Sequence, residues 1–84
     1  MRAASKQDIR EWLRRGVREG ATHMIVVCDT YDYEDYPVYV DETENVHDVE
    51  SHYRNGENMQ QVMEVYNLAM DIEDQLDEHR AFNY

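Results

Sequence analysis

The segment CDTYDYEDY, residues 28–36, concentrates the side chains of this sequence that are best suited to chemistry. Carboxylate oxygens at this density are the ligands that Ca²⁺ and Mg²⁺ prefer. Counted from Asp29, however, the chain has Glu34 where an EF-hand loop requires Gly and Val40 where it requires Glu. A divalent-cation or small-ligand site in the acidic loop, residues 29–35, is therefore the alternative interpretation. Its ligands would be Asp29, Asp32, Glu34 and Asp35.

The tyrosines of the same segment favour recognition of a partner protein. Tyrosine combines a large rigid surface with a polar tip, and neighbouring acids supply charge complementarity. We expect two strands to hold the segment at the tip of a hairpin, with one or two of its three rings folded back onto the core. The partner-binding residues predicted here are Tyr31, Asp32, Tyr33, Glu34, Asp35 and Tyr36.

No set of residues has the spacing of a catalytic or cofactor site. Cys28 closes the apolar run MIVVC beside Asp29, and both features disfavour a reactive thiolate. His47 and His52 are five residues apart, which turns them to different faces of a helix. Because the sequence also lacks a glycine-rich phosphate loop and a serine elbow, we predict no enzymatic activity, no cofactor and no protein metal centre.

Charge is distributed unevenly along the 84 residues, whose formal net charge is −11. Residues 1–20 carry six cations against three acids, a net +3, and residues 21–84 carry two cations against sixteen acids, a net −14. Such a field repels nucleic acid and anionic membranes and attracts basic protein surfaces. No apolar run approaches the roughly 20 residues needed to span a bilayer. A single cysteine suits a reducing interior, so the cytoplasm is the predicted location.

The first half of the chain is predicted as a helix followed by a hairpin. Ser5 and Asp8 form a capping box before an amphipathic helix over about residues 6–19. Two segments rich in β-branched and aromatic residues follow, THMIVVCD at 22–29 and YPVYVDE at 36–42. Their separation predicts an antiparallel hairpin.

The second half is predicted as two helices. One extends from Val46 to Gly56, and a long one extends from a capping box at Asn58 to about Leu76, after which order is expected to fade over residues 77–84. A wide apolar stripe on the long helix makes a homodimer a further alternative. The acids of this helix form a negative ridge that extends the predicted partner-binding set. These acids are Glu64, Asp71, Asp74 and Glu78. The alternative is a solvated helix face that is partly neutralised by Arg10, Arg14 and Arg18 of the first helix.

The predicted fold is a single small α+β domain, residues 1–84, of order α-β-β-α-α, with an antiparallel β-hairpin packed against helices. Its size, its acidity, the segment THMIVVCDTYDYEDYPVYV between helices and the lack of a catalytic motif resemble small acidic proteins encoded by bacteriophages. These belong to the anti-CRISPR and anti-restriction type, which presents DNA-like negative surfaces. The resemblance implies a non-enzymatic inhibitor that binds the basic surface of a nucleic-acid-binding or defence protein in the host cytoplasm.

Overall fold

The computed structural model describes residues 4–55, 60–78 and 80–84 of the chain. Its elements are, in chain order, α1 (Lys6–Arg18), β1 (His23–Asp29), β2 (Glu34–Val40), α2 (Val46–Arg54), β3 (Gln60–Asn67) and α3 (Ile72–Leu76). The predicted α+β class and the single small domain are confirmed. The order of elements differs from the prediction in one place, because a third strand stands where a long helix was expected.

Helix α1 begins as its capping box predicts. The Ser5 hydroxyl accepts a hydrogen bond from the Asp8 backbone N–H at 3.1 Å, and the Asp8 carboxylate accepts one from the Ser5 N–H at 3.1 Å. Ile9 and Leu13 are buried on the face that meets the sheet. After the helix, Gly20 takes the left-handed conformation with φ 79°, which reverses the chain toward β1.

The sheet has the order β2-β1-β3, and both pairings are antiparallel. The predicted hairpin forms between β1 and β2, with His23 opposite Val40 at one end and Asp29 opposite Glu34 at the other. Five consecutive residues of β1, 24–28, are buried, as expected of a central strand covered on both faces.

Helices cover the two faces of the sheet separately. On one face, α1 and α3 pack against β1 and β3 around Leu13, Met24 and Tyr66. On the other face, α2 packs against the sheet around Ile25, Val46 and Val65. The result is a layer of helix, a layer of sheet and a second layer of helix.

The prediction of a long helix from Asn58 to Leu76 is wrong. Within the described part of this range, residues 60–67 form β3 and only residues 72–76 are helical. The apolar pairs at 62–63 and 65–66 fit a helical stripe, but in the structure they serve two faces of one strand. Val65 joins the core under α2, whereas Tyr66 joins the core under α1. A register shift between Val26 and Val27 in the pairing with β3 accommodates the irregular spacing.

A hairpin of two strands is marginal in water, and this is the physical reason for the change: β3 completes the sheet by pairing with the open side of β1. The predicted start of the long helix at Asn58 and the predicted end of the preceding helix at Gly56 lie outside the described residues. Helix α2 itself ends at Arg54, with Asn55 as its cap.

The described residues after Leu76, at 77–78 and 80–84, where order was expected to fade, include a segment that contacts β3 and α2. The Val65 N–H donates to the Ala81 carbonyl at 2.8 Å and the Asn83 N–H donates to the Val65 carbonyl at 3.0 Å, so residues 81–83 cover the outer side of β3. Ala81 is fully buried. The Tyr84 hydroxyl donates to the buried carboxylate of Glu50 at 2.6 Å. These contacts fasten the segment to β3 and α2.

Candidate interaction surface

The loop between β1 and β2 is a tight reversal that we call the hairpin tip, residues 30–35. The Tyr33 N–H donates to the Asp29 carbonyl at 2.6 Å, and Tyr33 is held in the left-handed region with φ 58°. Two carboxylates also brace the turn: Asp29 accepts from the Tyr31 N–H at 2.8 Å and Asp32 accepts from the Glu34 N–H at 3.2 Å. A left-handed tyrosine costs about 1–2 kcal/mol, which the surrounding turn must supply.

The three tyrosines of the predicted site separate into two groups. Tyr31 and Tyr33 project from the hairpin tip with 80% and 57% of their surface exposed. Tyr36 instead folds back against the core under α2, and its hydroxyl accepts a hydrogen bond from the Gln60 side chain at 2.5 Å. Burial raises the pKa of Tyr36 above the ordinary tyrosine value, and the negative charge of its neighbours adds to this effect. Tyr36 therefore supports the hairpin from below.

The acids of the hairpin tip also differ in their surroundings. Asp32 and Glu34 are exposed, whereas Asp35 is half-buried and accepts a hydrogen bond from the Ala4 backbone N–H at 3.0 Å. Within residues 4–55, 60–78 and 80–84, no Lys, Arg or His side chain forms an ion pair with any of these three acids. The hairpin tip thus presents negative charge that the described part of the protein leaves uncompensated.

The negative ridge predicted on a long helix does not form, because its four acids are distributed over β3, the first turn of α3 and the residues after α3. Glu64 lies in β3 and accepts a hydrogen bond from the Tyr66 hydroxyl at 2.8 Å. Asp71 is the N-cap of α3 and binds the Asp74 N–H at 2.9 Å. Glu78 follows α3 and accepts from the Asn83 side-chain amide at 3.2 Å. The carboxylates of Glu64, Asp71 and Glu78 thus accept local hydrogen bonds, and the single helical face predicted for the four acids is absent.

Other acids of α3 are neutralised by α1, in an arrangement that we call the charged seam: Lys6, Arg10, Glu73 and Asp77. The Arg10 guanidinium binds both carboxylate oxygens of Glu73, at 2.9 and 3.0 Å, and Lys6 Nζ lies 2.6 Å from the Asp77 carboxylate. Hydrogen bonding from Arg10 lowers the pKa of Glu73, and hydrogen bonding from Lys6 lowers that of Asp77. Two of the six cations in residues 1–20 are therefore paired with acids of the same chain.

Cys28 lies in the interior of the sheet, with 8% of its surface exposed. Burial raises the pKa of its thiol, and hydrogen bonding and negative charge from Asp35 raise it further. These effects oppose formation of the thiolate that nucleophilic chemistry requires. Among the described residues, no group of three or more His, Cys, Asp or Glu side chains is placed to hold a metal ion. The alternative interpretation of the acidic loop as a cation site gains no support from this arrangement.

Two features of this region were not predicted from the sequence. The left-handed conformation of Tyr33 is one, because tyrosine carries no signal for positive φ as glycine or asparagine does. The use of Lys6 in the charged seam is the other, although its i, i+4 spacing from Arg10 was a usable signal. Neutralisation of acids late in the chain by Arg10 was anticipated, and the structure pairs Arg10 with Glu73.

The fold and this surface define a small α+β protein with an exposed hairpin tip that is both acidic and aromatic. Comparison of the chain with family models, curated proteins and solved structures found no match. No helix in the described parts of the chain has the length and apolar character needed to cross a membrane.

Proposed function

We propose that this chain is a non-enzymatic interaction module that uses the hairpin tip to bind a basic protein surface, and that it acts as an inhibitor of the phage type. The basic surface belongs to a nucleic-acid-binding or defence protein, where negative side chains replace the phosphates that such a surface normally binds. Direct binding to nucleic acid is disfavoured by the net charge of −11.

The single observation that supports this proposal most is the combination found at the hairpin tip. Tyr31 and Tyr33 are exposed beside carboxylates that have no ion pair among the described residues. The tip also retains a tyrosine at φ 58°, where glycine or asparagine would be accommodated at lower cost. A strained, exposed aromatic residue is typical of a site kept for a partner and is difficult to explain by stability.

We restrict the proposed binding set to the hairpin tip. Tyr36 packs beneath the tip, and the acids at positions 64, 71, 74 and 78 do not lie along one helix. The proposal therefore rests on Tyr31, Asp32, Tyr33 and Glu34, with Asp35 at their base. The homodimer alternative depended on the apolar stripe of a long helix, and it loses that basis because Met63 packs against the core under α1.

A capture experiment tests the proposal. The immobilised protein is exposed to a bacterial lysate at low and at high salt, and bound proteins are identified by mass spectrometry. We expect a basic nucleic-acid-binding protein to be retained at low salt and released at high salt, since exposed charge pairs are screened over about 10 Å at 0.1 M salt. The double variant Asp32→Lys and Glu34→Lys should lose it.

A charge-matched control separates the tip from general charge. Glu19→Lys with Glu42→Lys changes the net charge by the same amount at exposed positions outside the tip, and this variant should retain the captured protein. Circular dichroism checks that both variants are folded. Equal retention by the two variants, equal loss by both, or no salt-sensitive capture by the unmodified protein would each contradict the role given to the tip.

A further inference from the structure

The two outer strands of the sheet differ in how their free edges are covered. Residues 81–83 bind the outer side of β3 through both backbone hydrogen bonds of Val65. Strand β2 pairs with β1 on one side, and no other strand in the described residues pairs with its outer side. An uncovered edge is a template for another strand, which proteins usually cover or interrupt.

The direction of the backbone groups on β2 follows from its contact with β1. The Val40 carbonyl accepts a hydrogen bond from the Thr22 N–H at 2.8 Å, so it faces β1. Because facing alternates along an antiparallel strand, Pro37 and Tyr39 direct their backbone groups to the outer side. Pro37 fits this position because it lacks an N–H. No residue in the described ranges hydrogen-bonds the Tyr39 N–H or the carbonyls of Pro37 and Tyr39 on this side, which leaves these groups open to a further strand.

A groove of about 600 Å³ lies directly beside this edge, between β2 and α2. Val38, Val49 and Tyr53 supply apolar surface, and Glu44 and Asp48 add two carboxylates. Tyr39 also lines the groove, although its ring lies on the opposite face of the sheet, where the hydroxyl donates to the Trp12 carbonyl at 2.7 Å. Its contribution to the groove is thus its backbone.

We propose that the outer edge of β2 and this groove bind an extended, basic segment of a partner protein, which adds to the sheet as a fourth strand. Side chains alternate between the two faces of a strand, so one set of the segment's side chains would contact Val38 and Val49. Lys or Arg in the segment would lie near Glu44 and Asp48. The two carboxylates select a basic segment over an acidic one.

Charge also distinguishes this partner from a second copy of the chain. A second copy carries the same net charge of −11, and its β2 would bring the acids Glu34 and Asp35 to the groove carboxylates and not the cations that they favour. The proposal is independent of the hairpin tip, because the backbone of β2 and the groove supply the contacts.

The test uses a synthetic peptide, capped at both ends, in which every second residue is Thr and the residues between them alternate between Val and Arg, so that one face of the strand carries both types. A second peptide has the same sequence with N-methyl groups on alternate residues. N-methylation removes the donors that strand pairing needs and keeps the charge. Titration followed by NMR should show changes centred on β2 and α2, with slower hydrogen exchange at the Tyr39 amide. We expect the N-methylated peptide to bind at least about 10-fold more weakly.

Two pairs of variants complete the experiment. Glu44→Gln with Asp48→Asn removes the groove charges without changing shape, and it should weaken peptide binding several-fold. Glu19→Gln with Glu42→Gln removes the same charge elsewhere and should leave binding unchanged.

The tip variant Asp32→Lys with Glu34→Lys should still slow exchange at the Tyr39 amide on addition of the peptide, so this result stands whether or not the tip captures a protein. Equal affinity for the methylated peptide, changes confined to the hairpin tip, or a dimeric mass in the absence of peptide would overturn the proposal.

Discussion

Acidic side chains in the hairpin tip and in the charged seam differ in what lies opposite them. In the seam, Arg10 and Lys6 from α1 bind the carboxylates of Glu73 and Asp77. In the tip, Asp32 and Glu34 face solvent without an ion pair among the described residues. A count of acids along the sequence treats these groups alike, although the first set is bound by cations of the protein, whereas in the second set only Asp32 has an internal contact within the described ranges, a hydrogen bond from the Glu34 N–H.

The backbone shows the same contrast. On the α1 side, Gly16 allows the helix to approach the Tyr39 ring so closely that an added Cβ would lie 2.8 Å from ring carbon Cε1. At the tip, Tyr33 keeps a large side chain on a backbone conformation that favours glycine. In α1, Gly16 lowers the helix propensity but permits close packing on Tyr39. At the tip, Tyr33 is strained but its ring is exposed. This comparison predicts opposite effects of substitution in the two regions.

The largest effect is expected at Gly16. Gly16→Ala should lower the free energy of unfolding by about 1–2 kcal/mol, because overpacking costs about 1–3 kcal/mol and the better helix propensity of alanine returns at most about 1 kcal/mol. The Tyr39 ring cannot move away easily, since its hydroxyl is bound to the Trp12 carbonyl at 2.7 Å. Urea denaturation measures the change.

Glu11→Ala, at an exposed position of the same helix, is the control and should change the free energy of unfolding by less than about 0.5 kcal/mol. Protein capture by the tip should be the same in both variants. If Gly16→Ala stabilised the protein, as it would at an open helical position, the inference that Tyr39 leaves no space for a Cβ at Gly16 would be contradicted.

The parts of the fold that were predicted correctly are those specified by local signals. The capping box at Ser5 and Asp8 fixed the start of α1. The β-branched run before Cys28 and the proline at the beginning of the next segment indicated the hairpin, and both strands formed in the predicted order. In each case neighbouring residues carry the necessary signal, so one sequence was sufficient.

The third strand was missed because its formation depends on contacts with residues distant in the sequence and not on signals within the segment. Apolar residues at 62, 63, 65 and 66 satisfy a helical period and also serve a strand whose two faces are covered by different helices. What decides between them is the open side of β1, which pairs with residues 60–67. The error spread to the site, since the acids at 64, 71, 74 and 78 were grouped on a helix that does not form. The tip acids were placed correctly because the hairpin positions them locally.

An effect of opposite sign is expected at Tyr33. Tyr33→Gly should raise the free energy of unfolding by about 0.5–1 kcal/mol, because relief of the positive φ outweighs the greater chain entropy of glycine in the unfolded state. The same variant should weaken capture of the basic partner, since it removes one of two exposed rings. Thermal unfolding and the capture assay provide the two measurements.

Tyr31→Gly is the matched control, because Tyr31 is also exposed but is not among the described residues with positive φ. It should weaken capture and slightly lower stability, since glycine adds entropy to the unfolded chain without relieving strain. If both glycine variants lowered stability equally, the positive φ at Tyr33 would not be a source of strain.

The smallest effect concerns acid sensitivity of the charged seam. Hydrogen bonds from Arg10 and Lys6 lower the pKa values of Glu73 and Asp77 from 4.5 and 3.8. A carboxyl group whose pKa is lower in the folded state than in the unfolded state stabilises the protein above its unfolded pKa, and this contribution is lost as the pH falls through the folded value. Stability should therefore decline below about pH 5, and the decline should be shallower in the double variant Glu73→Gln with Asp77→Asn.

Some decline will remain in that variant, because the Thr43 hydroxyl and N–H lower the pKa of Asp41 as well. Lys6→Gln with Arg10→Gln supplies the comparison from the other side of the seam, and the decline should be shallower there as well, because the hydrogen bonds that lower the two pKa values are lost. Urea midpoints measured between pH 2 and pH 7 distinguish the variants. An acid limb as steep in both variants as in the unmodified protein would show that the seam does not set the acid sensitivity of the fold, and the role given to its ion pairs would no longer hold.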